Sequence, residues 1–231
     1  MIESTYRNGR YTDCGGRAVG TLVGMARSLR RHLDEEILDR AAGLFAKYGF
    51  DHTSLKDLAD AVELSKPGLL HHYPSKEALF EAAVEMGRRQ SQQVLERAMR
   101  VPAGAERDRR AVDLLVDFAL ERPGLIALAS RGISALGNGD DTGDDADGDQ
   151  WNGIDQPVFA ALGVDPGSAA DDPERLVRVV GMLSALAVLS LAANHVNEKA
   201  TWRPHIVTTC LDALGHHGPS PASSDPAQVE A

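Results

Sequence analysis

Two short helical patterns joined by a three-residue turn lie within residues 49–80, and they constrain the fold more than any other segment. The second pattern, near 65–73, carries one lysine and two adjacent histidines, and no acidic residue lies between Glu63 and Glu77. A short helix with a basic, polar outer face and an apolar inner face fits the major groove of DNA. The spacing therefore predicts a helix-turn-helix unit.

The composition favours helices throughout the 231-residue chain. Alanine, leucine, arginine and glutamate, which form helices readily, are abundant. No run of alternating apolar residues is long enough to indicate a strand. The sequence therefore predicts an all-α protein, long enough to bury a substantial core.

Charge is distributed unevenly along the chain. The formal net charge is −10, yet residues 1–89 hold 13 Lys/Arg and 13 Asp/Glu, whereas the remaining residues hold 11 and 21. Because an acidic protein repels nucleic acid overall, DNA binding would depend on local positive charge in the neutral part. Such asymmetry indicates two different functions in the two parts.

Cysteine usage and hydropathy indicate the compartment. Cys14 and Cys210 form neither a zinc spacing nor a disulfide framework, which fits a reduced, cytoplasmic environment. The first 30 residues lack the apolar segment of a signal peptide. The longest stretch without charges or histidine, 179–194, is shorter than the roughly 20 residues of a membrane span. It therefore predicts a buried helix and no membrane association.

Helical periodicity extends on both sides of the helix-turn-helix unit. It predicts a first helix over about 34–48, ended by Gly49, and Ser54 and Asp57 have the spacing of a capping box. Ser75 is expected to cap a long helix that runs to about residue 100. Further helices are predicted at 106–121, 124–136, 158–162, 174–196 and 203–214.

Shifts in composition set the predicted domain boundaries. Residues 1–30 are rich in glycine and arginine and are predicted to be a flexible basic extension, although Met25 could equally be the start of translation. Residues 31–91 are the predicted DNA-binding domain, and 92–215 form a second helical domain. Residues 216–231, rich in proline, serine and alanine, are predicted to be disordered.

Side chains of the helix-turn-helix unit divide into two sets. The predicted core is formed by Leu58, Ala59, Leu64, Leu69 and Tyr73. On the outer side, Lys66 can donate to a guanine or a phosphate, Gly68 admits close backbone approach, and Leu70 can contact a thymine methyl group. Arg30 and Arg31 are candidates for the minor groove or a phosphate. The full predicted DNA-binding set is Ser54, Lys56, Ser65, Lys66, Gly68, Leu70, His71, His72 and Lys76.

Three segments carry a resemblance to a known family: ILDRAAGLFAKYGF (37–50), TSLKDLADAV (53–62) and LSKPGLLHHYPSKEALF (64–80). Over about residues 31–90 the chain closely resembles the TetR family of bacterial transcriptional regulators. One departure is Glu63, which occupies a turn position where the family usually has glycine. A left-handed conformation there would cost a non-glycine residue roughly 1 kcal/mol or more.

The resemblance implies both a function and an assembly. It implies a repressor that binds a palindromic double-stranded DNA operator as a homodimer and is released by a small-molecule effector. It places the effector between helices spanning about 85–195. It also implies a four-helix dimer interface built from the helices near 174–196 and 203–214 of both subunits. Neither enzymatic activity nor a cofactor is expected, because the sequence has no catalytic or nucleotide-binding motif.

Two alternatives stay open from the residues alone. One is an α-helical enzyme or metal-binding protein that retains a helix-turn-helix unit, but no catalytic or nucleotide-binding motif is found. Adjacent His71 and His72 point about 100° apart on a helix, which disfavours a shared metal ion. The acidic run at 145–149 resembles the start of a calcium loop but lacks its later glycine and glutamate.

The other alternative is a regulator controlled by a protein partner. A pocket of roughly several hundred Å³ in the second domain would favour a ligand, and a filled core would favour the partner.

Overall fold

A computed structural model describes residues 16–135, 156–165 and 172–216, and it confirms the all-α fold class. The described residues contain no strand. Their helices are α1 (Gly16–Tyr48), α2 (Leu55–Ala61), α3 (Lys66–His72), α4 (Lys76–Ala98), α5 (Ala105–Glu121), α6 (Pro123–Ala135), α7 (156–161), α8 (Pro173–His195) and α9 (Lys199–Ala213). The predictions for the acidic run and for the C-terminal tail from residue 217 lie outside the described residues.

The structure departs from the predicted helix bounds at two places. Residues 16–30 are helical, so the predicted flexible extension is wrong for that segment, because its glycines each cost only about 1 kcal/mol and no proline interrupts it. α9 begins at Lys199, with Pro204 inside the helix. Pro204 lies soon after the first turn, in which backbone N–H groups have no helical partners in any case. The one backbone hydrogen bond that Pro204 removes therefore does not prevent α9 from beginning before the predicted residue 203.

Contacts divide the chain into two units, Met1–Glu36 and Ile37–Ala231. In the described part of the first unit, Leu29 and Leu33 are exposed, as are Arg30 and Arg31 between them. This short unit buries none of these four side chains, so the hydrophobic cores described below belong to the second unit.

The first cluster of buried residues, called here the N-terminal core, joins residues from Ile37 onward in α1 with α2, α3, the first half of α4 and part of α6. Leu58 and Leu69, the predicted inner residues of α2 and α3, are completely buried, and each contributes about 1.5–3 kcal/mol by burial. The rings of Phe45 and Phe80 meet edge to face at 5.1 Å between centroids. This core fixes the orientation of the two short helices.

The second cluster, called here the C-terminal core, is built mainly from α5, α7, α8 and α9. At one end of it, the buried carboxylate of Asp108 accepts a hydrogen bond from Arg175 Nη2 at 2.7 Å and lies 2.6 Å from His216 Nε2. A buried charge is tolerated when it is paired in this way. Cys210 is buried in this core. Burial raises the pKa of its thiol to about 12, so this cysteine is not a reactive group.

α8 is a long and largely apolar helix. By length and composition alone it could cross a membrane, but the core helices of soluble proteins pass the same test. Its inner face, including Val179, Met182 and Leu186, lies in the C-terminal core, whereas Val177 and Val188 are 70% and 66% exposed. α8 is thus apolar on the face that the core covers and on the opposite face.

Candidate nucleic-acid interface

The start of α2 is fixed by the predicted capping box, which the structure confirms. The Ser54 hydroxyl donates to Asp57 Oδ2 at 2.6 Å and accepts from the Asp57 backbone N–H at 3.2 Å. The Ser54 backbone N–H donates to the same carboxylate. These hydrogen bonds lower the pKa of Asp57, which stays ionised near the helix N-terminus. The predicted DNA contact from the Ser54 side chain would compete with this cap.

The start of α3 depends on a second serine cap. Ser65 Oγ accepts from the Gly68 backbone N–H at 3.1 Å, and a Cβ on Gly68 would lie 3.2 Å from that oxygen. Glycine therefore leaves room for the cap as well as for the predicted approach of a DNA backbone. Leu69 fixes the inner face of α3, so the orientation of its outer face follows from the cap and this anchor.

The outer face of α3 carries most of the predicted DNA-binding side chains. Lys66, His71 and His72 are exposed, and Gly68 and Leu70 are partly buried. Lys56 is exposed on α2. The outer face of α3 therefore presents ammonium and imidazole donors, while its inner face is apolar. Such donors can contact both DNA phosphates and the edges of nucleobases. Among the described residues, no group of three histidine, cysteine, aspartate or glutamate side chains could hold a metal ion.

Lys76 differs from the other lysines of the predicted DNA-binding set because its ammonium group already has protein partners. Lys76 Nζ donates to the Phe50 carbonyl at 2.9 Å and lies 4.1 Å from the centre of the Phe50 ring. Phe50 in turn packs against Phe80 of α4 at 5.2 Å between ring centroids. Lys76 thus fastens the loop after α1 to the start of α4, and any phosphate contact would have to share this ammonium.

The turn between α2 and α3 has the strained conformation that glycine would relieve. Glu63 has φ 58°, in the left-handed region, and the Leu64 N–H donates to the Ala59 carbonyl at 3.0 Å. Arg40 of α1 donates to the Ala61 carbonyl at 3.0 Å and pairs with Glu63 Oε1 at 3.3 Å. Sequence reasoning missed Arg40, because no local pattern indicates a contact across more than twenty residues.

A cavity lies between the two cores. It is lined by residues of α4, α5, α6, α7 and α8, including Ser91, Phe118, Ile126, Ala129 and Leu186, and its volume is about 40 Å³. A larger, open cleft of about 290 Å³ adjoins the Asp108–Arg175–His216 cluster, where the charged groups already pair with one another. The cavity between the cores is therefore the candidate ligand site, although it is far smaller than the sequence analysis required.

Comparison with known proteins agrees with the geometry of α1 to α4. Residues 37–83 match the family described as bacterial regulatory proteins, tetR family. The match confirms that this part of the chain is similar to the TetR family. A TetR-family transcriptional regulator from Bordetella parapertussis 12822 shares the fold, with a TM-score of 0.52 and 20% identity over 81% of this chain and 98% of that one.

Two curated relatives match a short part of the chain. The biofilm operon icaADBC HTH-type negative transcriptional regulator IcaR of Staphylococcus aureus (strain Newman) is 36% identical over 53 residues, which are 23% of this chain and 28% of the relative. IcaR of Staphylococcus epidermidis (strain ATCC 35984) is 36% identical over 53 residues, or 23% of this chain and 29% of the relative. The chain thus matches less than a third of the length of either relative.

The strained turn at Glu63 provides a stability prediction. Glu63→Gly removes the left-handed strain of about 1–2 kcal/mol but adds unfolded-state freedom worth about 0.5–1 kcal/mol and removes an exposed ion pair. We expect the free energy of unfolding to rise by ~0.5 kcal/mol, measured by chemical denaturation. Glu63→Ala, the control, keeps the strain and loses the pair, so it should be less stable than the original chain. Equal stability of the glycine and alanine variants would contradict the strain.

Proposed function

We propose that this chain is a cytoplasmic transcriptional repressor that binds a palindromic DNA operator and is not an enzyme. The observation that carries the proposal is the exposed face of α3, where Lys66, His71 and His72 project from a helix anchored by buried Leu69. A helix presented in this way suits the major groove. The name of the relative IcaR, a negative transcriptional regulator, favours repression over activation.

Fluorescence anisotropy with DNA from the promoter region of the protein's own gene tests this proposal. Lys66→Ala and His72→Ala should each weaken binding by about 1–3 kcal/mol, because each removes a base or phosphate contact. Lys47→Ala is the matched control, since it removes a lysine of similar exposure at the end of α1 while leaving α2 and α3 unchanged. Loss of binding in all three variants would indicate a general charge effect, and unchanged binding in both α3 variants would refute this interface.

We further propose that the repressor is a homodimer formed through α8 and α9. The exposed face of α8 presents Val177 and Val188 at helical spacing with the small residues Gly181 and Ser184 between them. Exposed valines on a face that lets another helix approach closely are expected to be covered. A second copy related by a two-fold axis would place the same face against itself. In such a dimer the two α3 helices would lie about 34 Å apart, which matches successive major grooves.

The effector is proposed to be a small, mainly apolar molecule, since the cavity between the cores is lined almost wholly by apolar side chains. Drug-sized ligands occupy roughly 300–1,000 Å³, so the cavity of about 40 Å³ must enlarge to admit one. The same small volume favours the second candidate, which is control by a protein partner.

Straight-chain alcohols and fatty acids distinguish the two modes of control. A compound that enters the cavity should raise the unfolding temperature, as any ligand of the native state does, and should release operator DNA. Ala129→Trp, which fills the lining of α6, should abolish the thermal shift. Absence of any shift across the series would favour the protein partner.

A further inference from the structure

The open cleft of about 290 Å³ at one end of the C-terminal core is separate from the apolar cavity between the cores. It is formed where the start of α5, the end of α7, the start of α8 and the residues after α9 meet. The cleft and the cavity share no lining residue, and they are about two helical turns apart along both α5 and α8. The cleft is therefore a second concave site, and its lining has a different chemistry.

Positive charge exceeds negative charge in the lining of this cleft. Arg107 and Arg175 stand against a single carboxylate, that of Asp108, and His216 adds a further positive charge whenever its ring is protonated. Within the described part of the lining no other residue is charged. The chain as a whole carries a net charge of −10, so this local excess of positive charge favours an anion at this particular place.

The buried Asp108 carboxylate positions two of these side chains. Its Oδ1 accepts from Arg175 Nη2 at 2.7 Å, and its Oδ2 lies 2.6 Å from His216 Nε2. An ionised carboxylate can only accept hydrogen bonds, so the hydrogen of the second contact belongs to Nε2. Asp108 thus uses one oxygen for each partner and holds both side chains in the wall of the cleft.

Both arginines keep hydrogen-bond donors that the described residues do not use. Arg175 also donates from Nε and Nη2 to the Leu162 carbonyl, which leaves its Nη1 without a described partner. Arg107 donates from Nε to the Val101 carbonyl at 2.9 Å, which leaves both of its Nη atoms in the same condition. Because each guanidinium is already held on one side, it loses little further side-chain freedom when an anion binds on the other.

We propose that this cleft is a second ligand site, in which Arg107 and Arg175 bind the phosphate or carboxylate group of a small organic anion. The oxygens of either group match the paired N–H donors of a guanidinium. The volume of the cleft exceeds what one such group occupies, so Ala103, Ala161 and Leu162 line the space left for the carbon body of the ligand. This site goes beyond the proposed function and does not depend on DNA binding.

Isothermal titration calorimetry on the full chain tests the site, with inorganic phosphate and succinate as probes at constant ionic strength. At least one probe should bind saturably with one site per chain, and the tighter probe identifies the class of oxyanion. Succinamide, in which neutral amides replace both carboxylates of succinate, is the control compound and should not bind. Dissociation constants weaker than about 10 mM for both probes, or equal binding of succinamide, would overturn the proposal.

Two arginine variants separate a defined site from general attraction by charge. Arg107→Gln should weaken binding of the tighter probe by about tenfold or more, as expected when a hydrogen bond between charged groups is lost. Arg109→Gln is the matched control, because Arg109 is an exposed arginine of the same helix that does not line the cleft. It makes the same change in net charge and should bind the probe like the original chain. Equal weakening in the two variants, or none in Arg107→Gln, would refute the site.

Hydrogen exchange on the original chain locates the bound probe even if Arg107→Gln fails to fold. At about ten times the dissociation constant, the probe should slow by up to about tenfold those amides of residues 104–108 and 162–164 that exchange when the cleft opens. Residues 126–130, which include lining residues of the apolar cavity, should be unaffected. Protection confined to residues 55–72 would show that the probe binds the proposed DNA-binding face instead, which would exclude the cleft. Failure of the chain to bind operator DNA would refute the proposed function and leave these results unchanged.

Discussion

Val188→Glu is expected to convert the protein from a dimer into a monomer and to abolish operator binding. Val188 is 66% exposed on the outer face of α8, so the substitution leaves the core of one chain intact. In the dimer the carboxylate would be buried without a partner, which costs several kcal/mol per subunit. Analytical ultracentrifugation should show monomers at micromolar concentration, and anisotropy should show the loss of tight DNA binding because a single half-site makes too few contacts.

Met99→Glu provides the matched control for the dimer prediction. Met99 is also a large, exposed apolar residue, but it follows α4 and lies outside α8 and α9. The control should sediment as a dimer and bind operator normally. If the original chain sediments as a monomer at micromolar concentration, both the interface proposal and the palindromic-operator proposal are wrong.

The choice of Val188 shows what the sequence alone could not supply. The uncharged run 179–194 predicts a buried helix, which is correct for one face of α8, and it makes Ala187 and Leu189 reasonable targets for a charge. In the structure Ala187 is 8% exposed and lines the cavity, so a glutamate there would disrupt the chain's own core. A helix that is apolar on opposite faces gives no periodic signal to distinguish the face buried within the chain from the outer one.

Features set by neighbouring residues were predicted well. Capping by Ser54 and Ser75, and the glycine end of α1 at Gly49, follow from residue types a few positions apart. The buried positions of α2 and α3 follow from helical periodicity in the same way. These short-range rules were enough to define the helix-turn-helix unit and its exposed face.

Features that depend on distant residues could not be predicted. The pairing of Asp39 with the start of α6 joins residues 86 positions apart, and the Lys76 contact with Phe50 spans 26. Neither residue type indicates its partner, since an aspartate and a lysine on helices are most often solvated. The small cavity is also a product of tertiary contacts, because its lining comes from five helices separated along the chain.

The salt dependence of operator affinity should be steep, even though the protein carries a net charge of −10. DNA binding releases condensed counterions, and each phosphate contact contributes a slope of about −0.9 to the plot of log affinity against log salt. Lys56 and Lys66 are exposed on the proposed interface, and together they supply about four contacts per dimer. These alone predict a loss of about 10²-fold in affinity between roughly 50 and 200 mM salt.

Arg30 and Arg31 provide the decisive comparison. The sequence predicts that the exposed arginine pair also contacts phosphates, which would give about eight contacts per dimer. The expected loss of operator affinity over the same salt range then rises to about 10⁴-fold. The double variant Arg30→Ala/Arg31→Ala should then reduce the slope of log affinity against log salt to about half its original value. Sedimentation at each salt concentration must show an unchanged dimer, so that the slope reports phosphate contacts and not dissociation. A slope that is unaffected by the double variant would exclude the arginine pair, and a flat response in the original chain would contradict the proposed interface itself.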